Sequence, residues 1–180
     1  MKLKNLLLVL TILSFITGCY SPLKGKIVDA ETGKPIEGAV AMAEWTRTKG
    51  FGNTYTVSAK VSEAVSDKEG NFELDGCYSL FVDKPSLTIY KNGYVAWNSE
   101  YIFPDWKKRD GFEWKSELVT RMEKFAISYS YTDHQIFIYS SIMDNLGLDD
   151  KKIFISRYYE YEISKVIVER DINERKKLQR

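Results

Sequence analysis

"LKGKIVDAETGKPIEGAVAMAEW", residues Leu23 to Trp45, sets two apolar runs around a dense turn. The runs lie at Gly25–Val28 and Ala39–Trp45, and Asp29, Ala30, Glu31, Thr32, Gly33, Lys34 and Pro35 separate them. Gly33 can take a positive φ without steric cost and Pro35 pre-sets its own φ, so the segment reads as strand, turn, strand. The scheme then repeats. Asp67-Lys68-Glu69-Gly70 makes a second turn, after which Phe72, Leu74 and Gly76 alternate on one face. In "PSLTIYKNGYVAW", Leu87 and Ile89 share a face and Asn92-Gly93 forms a hairpin-type turn. Short strands at this spacing predict a mainly β chain folded as a β-sandwich. The 12 tyrosines, 9 phenylalanines and 4 tryptophans favour pleated sheet as well.

Four stretches, in this order, resemble the carboxypeptidase regulatory-like domain: Gly25-Lys26-Ile27-Val28-Asp29, Thr32-Gly33-Lys34-Pro35-Ile36-Glu37-Gly38-Ala39, Ser66-Asp67-Lys68-Glu69-Gly70-Asn71-Phe72, and Gly93-Tyr94. The resemblance implies a transthyretin-like (prealbumin-like) Greek-key β-sandwich of about seven strands. It runs over residues 23–124, within a domain taken as 19–124, and ends in the strand "SELVTRMEKF". Thr46 to Ala59 reads as a loop longer than that family's minimum. The zinc carboxypeptidases that carry such a domain use two histidines and a glutamate around the metal, whereas this chain has one histidine, His134. Related purine-pathway hydrolases use several histidines and a Tyr-Arg-Gly-Ser end, and this chain ends Lys177-Leu178-Gln179-Arg180. The resemblance carries a fold but neither activity.

Upstream, Met1-Lys2-Leu3-Lys4-Asn5 is a charged start, followed by the apolar run Leu6 to Ile16 and then Thr17-Gly18-Cys19. The run suits a secretory segment and falls short of the roughly 20 residues a spanning helix needs. Its end resembles the bacterial lipobox, which implies cleavage after residue 18 and diacylglyceryl attachment at Cys19. Two or three acyl chains (palmitate-type) would hold the protein stably, where one gives only marginal binding. In a Gram-negative envelope, Tyr20, in place of the aspartate of inner-membrane retention, points to the outer membrane. The expected product is an exported, lipid-anchored envelope protein. Cys77 is then the single remaining thiol, expected to be buried or paired with another chain.

The chain carries 26 basic and 25 acidic residues, so no net field draws it toward nucleic acid. Between residues 94 and 114, Tyr94, Trp97, Tyr101, Phe103, Trp106, Phe112 and Trp114 are interleaved with Pro104, Asp105, Lys107, Lys108 and Arg109. Tyr94, Trp97, Tyr101, Phe103, Trp106 and Trp114 are candidate binding residues, as a platform for a glycan or an envelope protein. The alternative is that these rings cap an open end of the sandwich. After Phe125 a strand-like "AISYSYT" precedes helical signals, giving a C-terminal, helical segment over 125–180. Asp133 is expected to cap a helix from His134 to Leu146 that stops at Gly147, and Asp149 or Asp150 a second from Lys151. On the second, Ile155, Tyr159, Ile163, Val166 and Ile167 form an apolar stripe, while Lys165, Arg170, Arg175, Lys176, Lys177 and Arg180 place cations toward its end. His134 reads as a surface or cap residue. No metal-ligand cluster, phosphate loop or nucleophile motif accompanies it, so neither cofactor nor metal is expected. The reading is a non-catalytic binding or structural module. Its rivals are an accessory subunit docking through the C-terminal helices and a hydrolase using His134.

Overall fold

Asp29 closes the turn that separates the first two strands. Its Oδ1 accepts the backbone N–H groups of Glu31 and Thr32 at 3.0 and 2.8 Å and the Thr32 hydroxyl at 3.0 Å. Gly33 follows at φ 69°, and Val28 bridges to Pro35 as the chain returns. The computed structural model describes residues 22–79, 81–115, 117–142 and 164–178. Within them the chain is mainly β, with a helical segment toward its C-terminus.

Three strands, β1 (Leu23–Asp29), β4 (Asn71–Leu74) and β9 (Leu118–Met122), form one sheet in the order β4-β1-β9. The β1–β4 pair is antiparallel, and β9 runs parallel to β1 with Ile27 beside Thr120. A second sheet joins β2 (Val40–Lys49), β3 (Tyr55–Val65), β5 (Ser86–Tyr90) and β6 (Trp97–Asn98) in the order β3-β2-β5-β6. β7 (Tyr101–Ile102) and β8 (Lys107–Lys108) make a separate two-stranded ribbon. Thr46 to Ala59 is not a loop. β2 and β3 stay paired from Thr46–Ser58 to Lys49–Tyr55, leaving only residues 50–54 to turn. The alternating polar residues here read as irregular because one face of the hairpin is solvated, and a register shift between Trp45 and Thr46 breaks the period.

β2 decides the layering. Ala39, Ala41, Ala43 and Trp45 face the first sheet, where they share a core with Ile27, Phe72, Leu74, Leu87, Ile89 and Met122. The three alanines let the sheets approach, and the Trp45 ring fills the end of the gap. The other face of β2 presents Val40 and Met42, which with Tyr90 form a second core against α1 (Tyr131–Ile142) through Phe137, Ile138 and Ile142. A helix of 12 residues is marginal alone. Burying these three side chains is worth roughly 1.5–3 kcal/mol each, so docking holds the helix.

Ala126 to Ser130 forms a turn rather than a strand, with the Tyr129 N–H donating to the Ala126 carbonyl at 3.0 Å. The helix therefore starts before His134, and its cap is Ser130. The Ser130 hydroxyl accepts the Asp133 N–H at 3.2 Å and the Ser130 carbonyl accepts the His134 N–H at 3.0 Å. Asp133 lies inside the first turn. Val166, Ile167 and Lys165 fall on α2 (Ser164–Leu178), where Val166 is buried and Ile167 exposed. Leu146, Gly147, Asp149, Asp150, Lys151, Ile155, Tyr159, Ile163 and Arg180 lie outside the described residues. Cys77 is a free, buried thiol in the core between the sheets.

Candidate functional site

The six candidate aromatics do not form one platform; they divide into four groups. Tyr94 is half-buried and its hydroxyl donates to Asp29 Oδ2 at 3.1 Å. Burial, then the hydrogen bond to Asp29, pushes its hydroxyl up from the ordinary tyrosine range. The Thr32 N–H leads the donors that hold the Asp29 carboxyl below the ordinary aspartate range, against the opposing effect of burial. Trp97 and Trp114 pack on the core between the sheets. Phe112 stands between them, with ring centroids 5.5 Å from Trp97 and 5.1 Å from Trp114. The Arg109 guanidinium lies 4.6 Å over the Trp97 ring and its Nε donates to the Asn98 carbonyl at 2.8 Å. Phe103 is buried in the helix-side core, 5.1 Å from the His134 ring and 5.6 Å from Phe137.

Tyr101 and Trp106 remain outside. They sit on the β7–β8 ribbon, 40% and 41% exposed, with ring centroids 6.2 Å apart. Trp106 also packs at 5.0 Å on Phe137, which ties the ribbon to the helix. Its backbone holds φ at 56°, a left-handed conformation that bulky side chains rarely adopt.

These two rings border a cavity of about 430 Å³. Its floor is the helix-facing side of the second sheet, where the apolar residues of that face give way to polar ones: after Val40 and Met42 come Glu44 and Thr46, with Ser86 opposite Glu44 on β5. Asn98 of β6 completes the floor, Ser140 and Ser141 of α1 close the far side, and Glu100 joins the two rings at the mouth. Asn98 shapes the wall and has little left to offer a ligand. Its amide donates to Thr88 Oγ1 at 3.1 Å, and its oxygen accepts the N–H groups of Glu100 and Tyr101 at 2.8 and 2.9 Å. The Ser141 hydroxyl donates to the Phe137 carbonyl at 2.8 Å, so toward the cavity it can only accept. The site is therefore rich in acceptors: two carboxylates, and hydroxyls whose protons are partly committed. Sequence reasoning reached Tyr101 and Trp106 and missed Glu44, Glu100, Ser140 and Ser141. Glu44 had a signal, being the one charged residue in the run Ala39–Trp45.

His134 is not a surface or cap residue. It is fully buried, its Nε2 accepts the Ala96 N–H at 2.9 Å, and it packs against Phe103 and Phe125. An accepting Nε2 carries no proton, so the ring holds its proton on Nδ1. At the start of the helix, the Glu169 carboxylate of α2 accepts the backbone N–H groups of Tyr131 and Thr132 at 3.2 and 2.9 Å. It also accepts the hydroxyls of Thr132 and Ser130 at 2.8 and 3.3 Å. Burial pushes the Glu169 carboxyl up, but these donors outweigh it and hold it below the ordinary glutamate range. Among the described residues no three His, Cys, Asp or Glu side chains cluster as metal ligands, and no helix is long and apolar enough to cross a membrane. Cys19 lies outside the described residues.

No protein-family model matches the chain. No curated protein matches it either. Among solved structures it is similar to a 9R-lipoxygenase from Cyanothece PCC8801 at 15% identity and a TM-score of 0.32. That likeness covers 62% of this chain and 17% of the lipoxygenase, and it carries no argument about activity.

Proposed function

We propose that this is a lipid-anchored envelope protein whose β domain serves as a non-catalytic binding module, exported with residues 1–18 as signal peptide and held by acylated Cys19, in the outer membrane where the envelope is Gram-negative. The observation that carries the binding reading is the cavity beneath Tyr101 and Trp106: two half-exposed rings at the mouth of an acceptor-lined space of about 430 Å³. That volume lies within the roughly 300–1,000 Å³ of small-molecule sites. The order of apolar run, Thr17-Gly18 and Cys19 supports the anchor. Three strands and four strands meeting in one core support the finer expectation of a transthyretin-like Greek-key sandwich. The sequestration of His134 in the core supports a module without chemistry.

The test is the intact mass of the protein from a native membrane fraction. A mature chain beginning at Cys19 with two or three acyl groups, lost in Cys19→Ala, is the expected result. An unmodified mass retaining Met1 overturns the anchor. A second reading, an accessory subunit of an envelope assembly, is favoured by exposed Ile127, Val168 and Ile172, which line one groove between the α1 entry turn and α2. Substituting Val168 and Ile172 with serine separates the two readings, because only the second loses its partner.

A further inference from the structure

We infer that the cavity between β2, the β7–β8 ribbon and α1 receives a neutral pyranose ring, free or at the end of a glycan. This rests on the binding reading above and names its ligand class. Three properties of the lining select it.

The first is polarity. Glu44, only 9% exposed, and Glu100 put two carboxylates on the cavity, and among the described residues no Lys, Arg or His lines it. A phosphate, uronate or other anion would meet these carboxylates with no basic side chain among the described lining residues to receive it. A purely apolar ligand would take the carboxylates and the hydroxyls of Thr46 and Ser140 out of water without replacing their hydrogen bonds.

The second is the acceptor excess. A ligand that fits must bring donors, and a sugar brings one on every hydroxyl. Hydroxyl-to-carboxylate bonds are charge-assisted and among the stronger hydrogen bonds of a neutral ligand. The third is the aromatic rim. A pyranose has a flat C–H face as well as a polar edge, and Tyr101 and Trp106 offer apolar area beside the carboxylates at the depth of one ring. The rings are held for this: Asn98 fixes the backbone entering the ribbon at Glu100 and Tyr101, and Phe137 backs the Trp106 indole.

The experiment uses the full chain in a polyoxyethylene detergent, whose headgroup carries no sugar. Methyl pyranosides of the gluco, galacto, manno and N-acetylgluco configurations are titrated by calorimetry, with choline and a methyl glucuronoside as charged controls. At least one neutral pyranoside is expected to bind saturably, with little dependence on salt. Affinity is expected to fall roughly tenfold or more in Trp106→Ala and in Glu100→Gln, and to be largely kept in Trp106→Phe. Glu100 is exposed, so its variant tests the site even where Trp106→Ala fails to fold. Tighter binding of the matching oligosaccharide assigns the ring to a glycan end, and equal binding to a free sugar. Binding of choline alone, lost in Glu100→Gln, overturns the pyranose and makes the cavity a cation site. No binding by any pyranoside overturns it outright. The Cys19 acyl mass is read separately: its absence sinks the envelope reading whether or not a sugar binds.

Discussion

Replacing Glu169 by glutamine is expected to loosen α2 from the start of α1 while leaving the rest of the fold in place. The carboxylate now takes four hydrogen bonds, from the N–H groups of Tyr131 and Thr132 and the hydroxyls of Thr132 and Ser130. The amide keeps one acceptor oxygen and loses the charge. Hydrogen bonds to a charged group contribute about 1.5–3 kcal/mol against about 1 for neutral pairs, and an anion at a helix N-terminus adds about 0.3–1. A net loss near 2 kcal/mol is therefore expected, which raises the undocked population about thirtyfold. The assay is hydrogen exchange at the Thr132 amide, with the His134 amide, which donates to the Ser130 backbone carbonyl, as the internal reference. The sign of the pH dependence follows from the lowered carboxyl. The docked state binds fewer protons, so docking is at full strength above the ordinary glutamate range and weakens as the pH falls through the lowered value. Wild-type protection of Thr132 in the variant, or protection that does not change on acidification, would refute the reasoning.

Gly70→Ala combines a φ of +79° with a Cβ placed 2.5 Å from the Ile27 carbonyl oxygen, so a loss of about 2–3 kcal/mol is expected in a urea titration. A midpoint within error of wild type would mean that the turn after β3 relaxes freely. His134→Ala leaves the buried Ala96 N–H without its acceptor and a void beside Phe103, for about 3 kcal/mol by the same titration; an unchanged midpoint would show that the ring is not holding this core. Ending the chain after Phe125 uncovers Val40, Met42 and Tyr90, so the shortened protein is expected to aggregate, and a monodisperse product in size-exclusion chromatography contradicts the shared core. Cys77 is expected to resist a thiol reagent in the native state and react on unfolding, whereas fast native labelling would place it at the surface.

Local chemistry was the legible part of this molecule. The Asp29 turn, the Gly70 turn, the alternation of Phe72 and Leu74 and the strand at Leu118–Met122 all depend on residues close in sequence, and each stands where its residues put it. What depends on distant partners was not legible. The parallel pairing of β9 with β1 joins segments some ninety residues apart, and nothing in either strand specifies the direction. The helix began three residues earlier than Asp133 suggested because its entry is stabilised by Glu169, a residue on another element. His134 looked solvent-bound because its sequence neighbours are polar, yet its position on the α1 face toward the sheet sets its burial. At the candidate site, composition flagged the rings but not their sorting. Alternation sends Trp97 inward and Asn98 toward the cavity, and only the ribbon leaves Tyr101 and Trp106 uncovered.

The double burial of β2 has a consequence for how the protein tolerates change. An ordinary surface strand offers every second position to variation, because half of its side chains meet water. From Val40 to Trp45 there is no such alternate slot: six successive residues each answer to a neighbour, the odd ones to the opposing sheet and the even ones to the helix or the cavity. A library saturating this segment would show an unbroken block of intolerance where a comb of permitted and forbidden positions is the rule. The texture would differ within the block, with Ala41 and Ala43 rejecting bulk, Met42 rejecting truncation, and Glu44 alone sensitive to what the protein is asked to hold.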